Sequence, residues 1–514
     1  MPRSGLPAVD LAVLLVYMIG VFLLGAYFVR TSRSTDRFMV AGRSLPGWVV
    51  GISIFGTYLS SISFLALPGA AFGANWNQFV FSLSLPLAAW IATRYFVPLY
   101  RKRNQVSAYS YLEHRFGPWA RTYATIFYLL TQLGRMGTIM FLVALAVSPL
   151  IGVSVVPIII IIGALVTLYT LLGGIEAVIW TDVVQSFILL AGALVAAAFI
   201  LFGMPEGPGQ LFSLGAASHK FSLGSFGASI SEQTFWVVLI YGLFMNLQNF
   251  GIDQNYVQRY ITAKSDREAK KSVWLSALLY IPASALFFFI GTGLYAFYTA
   301  QPGLLPATIT KGDEVFPHFI VAQLPVGVTG LVIAAIFAAA MSTLSTSVNS
   351  SATVIFSDIY KRYFRKEAGE RESMRMLYVT TFFWGAFGTL VALAMTHVRQ
   401  ALDAWWTMAS IFSGGMLGLF LLGFFSRRAR NVPAAIGVVL GVLAIAWMSV
   451  PTLAKLDLLS PGLTAHLGPQ SPFHKYLIVV IGTLTIFLVG FLISLLFGGR
   501  RRSQEASPAP VAQT

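Results

Sequence analysis

Residues 10 to 29, DLAVLLVYMIGVFLLGAYFV, carry one charge, at their first position. Spans of this length and polarity recur along the chain, with centres near residues 20, 56, 88, 133, 162, 190, 245, 284, 338, 384, 413, 440 and 485. A helix of about 20 apolar residues matches the roughly 30 Å hydrocarbon core of a bilayer. Only 10% of the residues are charged and 57% are hydrophobic, against roughly 25% charged in soluble domains. These totals predict an all-α polytopic membrane protein of about thirteen transmembrane helices, with lipid bilayer as its solvent. The first span has no basic n-region of note and no small-residue cleavage site, and Arg30, Arg33 and Arg37 follow it, so it is expected to be retained as an N-terminal helix.

The net charge of +15 would suit a nucleic-acid partner if it were pooled on one soluble face. It is instead divided by the membrane. Alternate loops hold RKRNQ at 101, ITAKSDREAKK at 261, YKRYFRKEAGERESMR at 360, SRRAR at 426 and GGRRRS at 498. The opposite side holds only Arg3, Lys220, Lys311, Arg399, Lys455 and Lys475. The positive-inside rule makes the rich side cytoplasmic, with the N-terminus outside and the C-terminus inside. No nucleic-acid partner is expected. The absence of cysteine excludes disulfides and thiolate chemistry. No HExxH or GxSxG occurs, and the six histidines lie in loops or near span ends, so an enzyme is not expected.

One membrane domain over residues 1–499 is expected, with an extra helix at 8–30, two C-terminal helices within 430–497 and a disordered cytoplasmic tail at 500–514. Two segments interrupt the apolar pattern: GTYLSSISF at 56–64 and NLQNFGIDQN at 246–255. Interruptions at matching places in two halves mark the central site of many transporters, because unwound backbone is tolerated only where it meets solute or ion. The spacing suggests two repeats of opposite topology, 44–203 and 233–425.

Between Ser342 and Thr353 nine hydroxyl or amide side chains follow the apolar run LVIAAIFAAAM. Ser342, Ser345, Thr346 and Asn349 share one helical face, with Thr343 beside it. A packing seam would need only a few small residues, so this density predicts a wet or ion-lined surface, and hard cations favour such oxygens. Arg135 and Asp182 lie inside apolar spans. A charge there costs at least about 2.5–3.5 kcal/mol, so each should face a cavity or a partner, and the two pairing with each other is one way to meet that need. A pair of glycines, Gly414 and Gly418, has the GxxxG spacing of a helix contact. A monomer is expected, with an oligomer left open.

Four stretches, LLGGIEAVIWTDVVQS (171–186), DQNYVQRYITAKSDREAKKS (253–272), IAAIFAAAMSTLSTSVNSSATVIFSDIY (333–360) and the break at 56–64, together resemble the sodium:solute symporter family. Within it the chain looks most similar to the sodium-coupled sialic acid transporters, through Arg135 in GRMGTIMFL and the first break. The resemblance implies a LeuT-type fold of inverted five-helix repeats and sodium-coupled symport of a small organic solute by alternating access. One or two sodium ions would be co-transported. A first sodium site would comprise the carbonyls of Gly56, Leu59 and Ala339 and the hydroxyls of Ser342 and Thr343. A second would comprise Asp182, Ser342, Ser345 and Thr346. Arg135 would receive a solute carboxylate, with Ser60 and Ser63 contacting the solute from the broken helix and Tyr58, Gln78 and Ser82 completing the pocket. The pocket departs from the sialic acid pattern: Tyr58 and Ser63 stand where threonines are expected, Gln78 where an aromatic is, and Ser82 where a glutamine is. The solute implied is an acidic one, sialic acid first and another sugar acid, monocarboxylate or neutral sugar after it.

Overall fold

The structure, a computed structural model, describes residues 6–103, 105–396, 414–455 and 471–497. The tail at 500–514 lies outside the described residues, as does most of the first half of the span centred near 413, which is described from Gly414 onward.

Among the described residues ten helices are long and apolar enough to cross a bilayer, and a bent pair, Gly47–Tyr58 with Ser63–Gly73, makes an eleventh crossing. Their outward faces carry exposed Val16, Leu23, Phe202, Phe383 and Leu496, side chains that lipid tails rather than water would cover. No strand occurs among the described residues; one bridge joins Leu45 to Ala263.

The helix Val155–Phe202 runs for 48 residues. As one rod it would be about 72 Å long, more than twice the roughly 30 Å hydrocarbon core. The backbone leaves the helix at Gly174, with φ 57° and ψ −153°, and this divides it into the two spans expected near 162 and 190. A side chain at 174 would meet the Phe38 carbonyl oxygen at 2.9 Å, so the position requires glycine both for its dihedrals and for space. Between this helix and the next span lies a short helix, Pro208–Ala217, begun by a proline in its first turn.

The polar ladder lies on the helix Val328–Val354, and every residue from Val332 to Val354 is buried. It is the central helix, packed against Ala8–Tyr27, Gly47–Tyr58, Pro118–Ile151, Val155–Phe202 and Glu370–Met395. Its N-terminus begins after Gly327 (φ 91°), and buried Asp10 from the N-terminal helix caps it: Oδ1 accepts from the backbone N–H of Gly327 at 2.6 Å and of Gly330 at 2.7 Å. These are orphan donors at the positive end of the helix dipole, which a carboxylate satisfies. At its other end the helix widens into a π-helical stretch, Ile355–Phe364.

On the lysine- and arginine-rich side, ion pairs tie loops to helix ends. Arg101 meets Asp266 at 2.5 Å, Arg121 meets Asp358 at 2.5 Å and Glu113 at 2.8 Å, and Arg362 pairs with Glu113 as well.

Candidate functional site

Both interruptions seen in the sequence are breaks in helices. In the first, the helix Gly47–Tyr58 stops, Leu59 (φ −84°, ψ 86°) and Ser60 (φ −80°, ψ 167°) are non-helical, and a new helix starts at Ser61, the two meeting at 53°. Ser60 is the N-cap of the second half, its hydroxyl accepting from the Ser63 N–H at 3.4 Å. In the second, Phe235–Ile252 ends at Asp253 (φ −74°, ψ 121°), whose carboxylate accepts from the Asn255 N–H at 2.8 Å and caps the helix Gln254–Ile261. In each case a short polar side chain replaces the hydrogen bonds that the interrupted helix gives up.

Between the breaks lies a cavity of about 720 Å³, within the range of small-molecule sites. Tyr58, Ser60, Ser63, Gln78, Ser82 and Arg135, the six solute positions expected from the sequence, all line it. So do Gln132, Gln248, Asn249, Asp253 and Tyr256, and at another part of its wall Lys311, Asp313 and Lys475. The two lysines belong to the lysine-poor side of the chain, and burial raises the Asp313 carboxyl above its usual range, with Glu314 adding to the effect. Arg135 is only partly buried, and its Nη2 donates to the Thr57 carbonyl at 3.4 Å. Tyr58 does not block the cavity. Its ring sits in an aromatic cluster with Phe250, Tyr256 and Tyr280 at centroid distances of 5.2, 4.8 and 5.3 Å, and its hydroxyl donates to Asn246 at 3.3 Å. Ser82 is buried and turned to Ser284 at 2.9 Å.

The expected ion ligands also gather. A Cβ built on Gly56 would lie 3.4 Å from the Ser342 hydroxyl, so the end of the first half-helix abuts the ladder. Ser342 donates to Asp182 Oδ1 at 2.8 Å, and Thr343 donates back to the Ala339 carbonyl at 3.2 Å. Neutral hydroxyl and carbonyl oxygens with one carboxylate nearby are the donor chemistry that a hard monovalent cation takes. Ser345 and Thr346 donate to the Ser342 carbonyl at 3.1 and 2.7 Å.

Asp182 and Arg135 do not pair. The partner of Asp182 is Arg259, at 2.7 Å, and the two side chains are 0% and 1% exposed. Arg259 also donates to Ser53 at 2.7 Å, to the Asn255 carbonyl at 2.7 Å and to the Thr346 hydroxyl. Ser53 in turn donates to Asp182 at 2.6 Å. The carboxylate of the expected second sodium set is thus already balanced by a guanidinium. Arg259 stands in QRYITAKSDREAKK, where a basic residue reads as the membrane edge; the signal that could have placed it inside is that Gln254, Asn255, Gln258 and Arg259 fall on one face of a short helix opposite Tyr256, Val257, Tyr260 and Ile261. The whole helix is buried.

The far half of the ladder is used for packing. Ser347 donates to Gln132 at 2.8 Å, Gln258 donates to Asn349 at 3.1 Å and to Thr353 at 3.0 Å, and Ser350 donates to Asn255. Ser347 thus ties the ladder helix to Pro118–Ile151, and Asn349, Ser350 and Thr353 tie it to the second broken span, while the Ser342–Thr346 end gathers at Asp182 and Gly56.

Residues 38–441 match the profile described as the sodium:solute symporter family. Among similar proteins, the sodium/sialic acid symporter NanT of Aliivibrio fischeri is 35% identical over 96% of this chain and 94% of its own length. The sodium/sialic acid symporter SiaT of Proteus mirabilis is 34% identical over 95% of each. A solved structure of a Na+-coupled sialic acid symporter in a substrate-bound outward-open state is similar at TM-score 0.85 and 32% identity, covering 96% of this chain and 98% of that one. Mhp1, a nucleobase-cation-symport-1 family transporter, is similar at TM-score 0.57 and 14% identity over 90% and 94% of the two chains, a likeness of fold alone. The all-helical LeuT-type architecture expected from the sequence agrees with both structures, and the chain belongs to the sodium:solute symporter family.

Proposed function

We propose that this chain is a sodium-coupled symporter of a small carboxylated solute, sialic acid first. The observation that carries the reading is Arg135: a guanidinium that lines the same cavity as Ser60 and Ser63 of the broken helix, and has no carboxylate within ion-pair distance among the described residues. A planar guanidinium is suited to hold a carboxylate through two hydrogen bonds. Sodium at Gly56, Leu59, Ala339, Ser342 and Thr343 would join the ladder helix to the first break and stabilise the solute-ready pocket. A second sodium at Asp182, Ser342, Ser345 and Thr346 would share its carboxylate with Arg259. Alternating access would follow from rocking between repeats 44–203 and 233–425, a division supported by the paired breaks at Leu59 and Asp253. The loop charges favour an outside N-terminus, with Lys311 and Lys475 at the extracytoplasmic mouth of the cavity. Transport would leave the solute chemically unchanged.

A second reading, another sugar acid, is favoured by Tyr58, Gln78 and Ser82, which give the pocket wall a different shape and hydrogen-bonding pattern from the one the sialic acid carriers led us to expect.

Uptake into proteoliposomes under an inward sodium gradient tests the function. Concentrative uptake of unmodified sialic acid that collapses in choline is expected. Two sodium ions with one monoanion carry net +1, so a 100 mV potential adds about 2.3 kcal/mol of drive, and a solute-dependent current should appear. Equal accumulation in sodium and choline would refute symport, and electroneutral uptake would refute the second ion.

A further inference from the structure

We propose that Asp253 determines specificity by accepting O–H or N–H donors from the solute, so that the molecule carried is a monocarboxylate rich in hydroxyl or amide groups rather than a plain monocarboxylate or a dicarboxylate. The inference rests on the reading of Arg135 as the carboxylate receiver and deepens it.

Asp253 lies where the second broken span changes direction, so its side chain is set by the break and not by a helix face. It lines the same cavity as Arg135 and is only partly buried. Its carboxylate takes one hydrogen bond, from the Asn255 N–H at 2.8 Å, and no cation pairs with it among the described residues. Arg259, the basic residue nearest to it in sequence, is committed to Asp182. Arg135 and Asp253 are near enough to feel each other's charge but do not form an ion pair.

An ionised carboxylate that borders a cavity within the membrane has acceptor capacity for about four hydrogen bonds, and leaving it unmet is costly. A solute that offers hydroxyl or amide donors meets that need. A plain monocarboxylate would satisfy Arg135 and leave Asp253 short of donors. A dicarboxylate would set a second negative charge against it. The wall thus has one cationic and one anionic group, and the solute that fits has a charged end and a donor-rich end. Selection of this kind, by groups left unpaired when the wrong molecule binds, discriminates more strongly than shape does.

Asp253→Asn removes the charge while keeping the size and the capping ability, since asparagine caps helices about as well as aspartate. Full-length protein and variant would be titrated in sodium, reading thermal stabilisation, with N-acetylneuraminate, glucuronate, lactate, succinate and glucose. The wild type is expected to bind the hydroxylated monocarboxylates at least about tenfold more tightly than lactate or succinate. In the variant that preference falls about tenfold while stabilisation by sodium alone persists. A variant that keeps the full wild-type preference for the hydroxylated acids would overturn the proposal. Should the variant not fold, the wild-type series decides alone: lactate or succinate binding as tightly as the hydroxylated acids overturns it. Glucose bound more tightly than every acid is a different result, one that removes the carboxylate reading itself.

Discussion

Neutralising Asp182 is expected to be the most destabilising single change in the ion region. Its carboxylate and the Arg259 guanidinium are buried and joined at 2.7 Å, with the Ser53 and Ser342 hydroxyls also donating to the carboxylate. Asp182→Asn keeps the shape and leaves a buried guanidinium without a counter-charge, a change that costs about 3–5 kcal/mol. With an unfolding entropy near 2.1 cal/mol/K per residue, a chain of 514 residues melts about 1 °C lower per kcal/mol, so the variant should lose about 3–5 °C. The double variant Asp182→Asn with Arg259→Met removes both charges, and most of that loss should return, as it does when a whole buried pair is replaced. A sodium ion held partly by Asp182 adds a second signature. At 100 times its dissociation constant an ion contributes about 2.7 kcal/mol, so the stabilisation by saturating sodium should shrink by about 2–3 °C in either variant. Thermal unfolding of the three proteins in sodium and in choline measures all of this. If the single variant melts with the wild type and responds fully to sodium, the charge pair carries no stability and Asp182 holds no ion.

Arg135→Gln should weaken binding of an acidic solute by about 100-fold, the effect of losing charged hydrogen bonds totalling about 3 kcal/mol, and leave stabilisation by sodium intact; unchanged affinity in a binding titration would return Arg135 to a packing role. Gly56→Ala would drive a methyl group into the Ser186 hydroxyl beside Ser342, so sodium titrations should show at least about tenfold weaker affinity in a folded protein. Glu113 tests the ionic network outside the membrane. Burial alone would raise its pKa, but Arg121 and Arg362 outweigh burial and hold it below the usual glutamate range. Its contribution is therefore complete above the unfolded value of about 4.3 and is lost as pH falls through the lower folded value. Melting temperatures taken from about pH 5 downward should fall more steeply for the wild type than for Glu113→Gln, and parallel curves would count against the network.

Much of this architecture was legible because lipid leaves few options: each crossing must be a long apolar helix, and GTYLSSISF and NLQNFGIDQN interrupt that pattern openly. The junction between the spans near 162 and 190 was legible from length, but its residue was not: there is no polar loop, only the pair Gly173–Gly174 with Glu176 close by, and the constraint on Gly174 comes from Phe38, far away in sequence. Arg259 escaped for another reason. Its neighbours Lys264, Arg267, Lys270 and Lys271 are ordinary interfacial charges, and the one local sign that it turns inward to Asp182 is the polar face it shares with Gln254, Asn255 and Gln258. The ladder was read as one surface because the partners of Ser347, Asn349, Ser350 and Thr353, namely Gln132, Asn255 and Gln258, come from other spans. The solute positions came from resemblance alone; serines, a tyrosine and a glutamine do not announce a pocket until the chain brings them around one.

The helix that carries Ser342 and Thr343 is fastened unequally at its two ends. At Gly327 it is clasped by the Asp10 carboxylate, which grips two backbone amides of a turn so close that a side chain on Gly330 would meet the Asp10 backbone at 2.7 Å. Beyond Val354 it passes into a wider π-helical coil, held from outside by Arg121 on Asp358 and by Glu113 on Arg362. A rod clasped by backbone amides at one end and by side-chain ion pairs at the other passes a shift at its middle to both, so an ion arriving at Ser342 is expected to load the Asp10 clasp and the Arg121–Asp358 pair together.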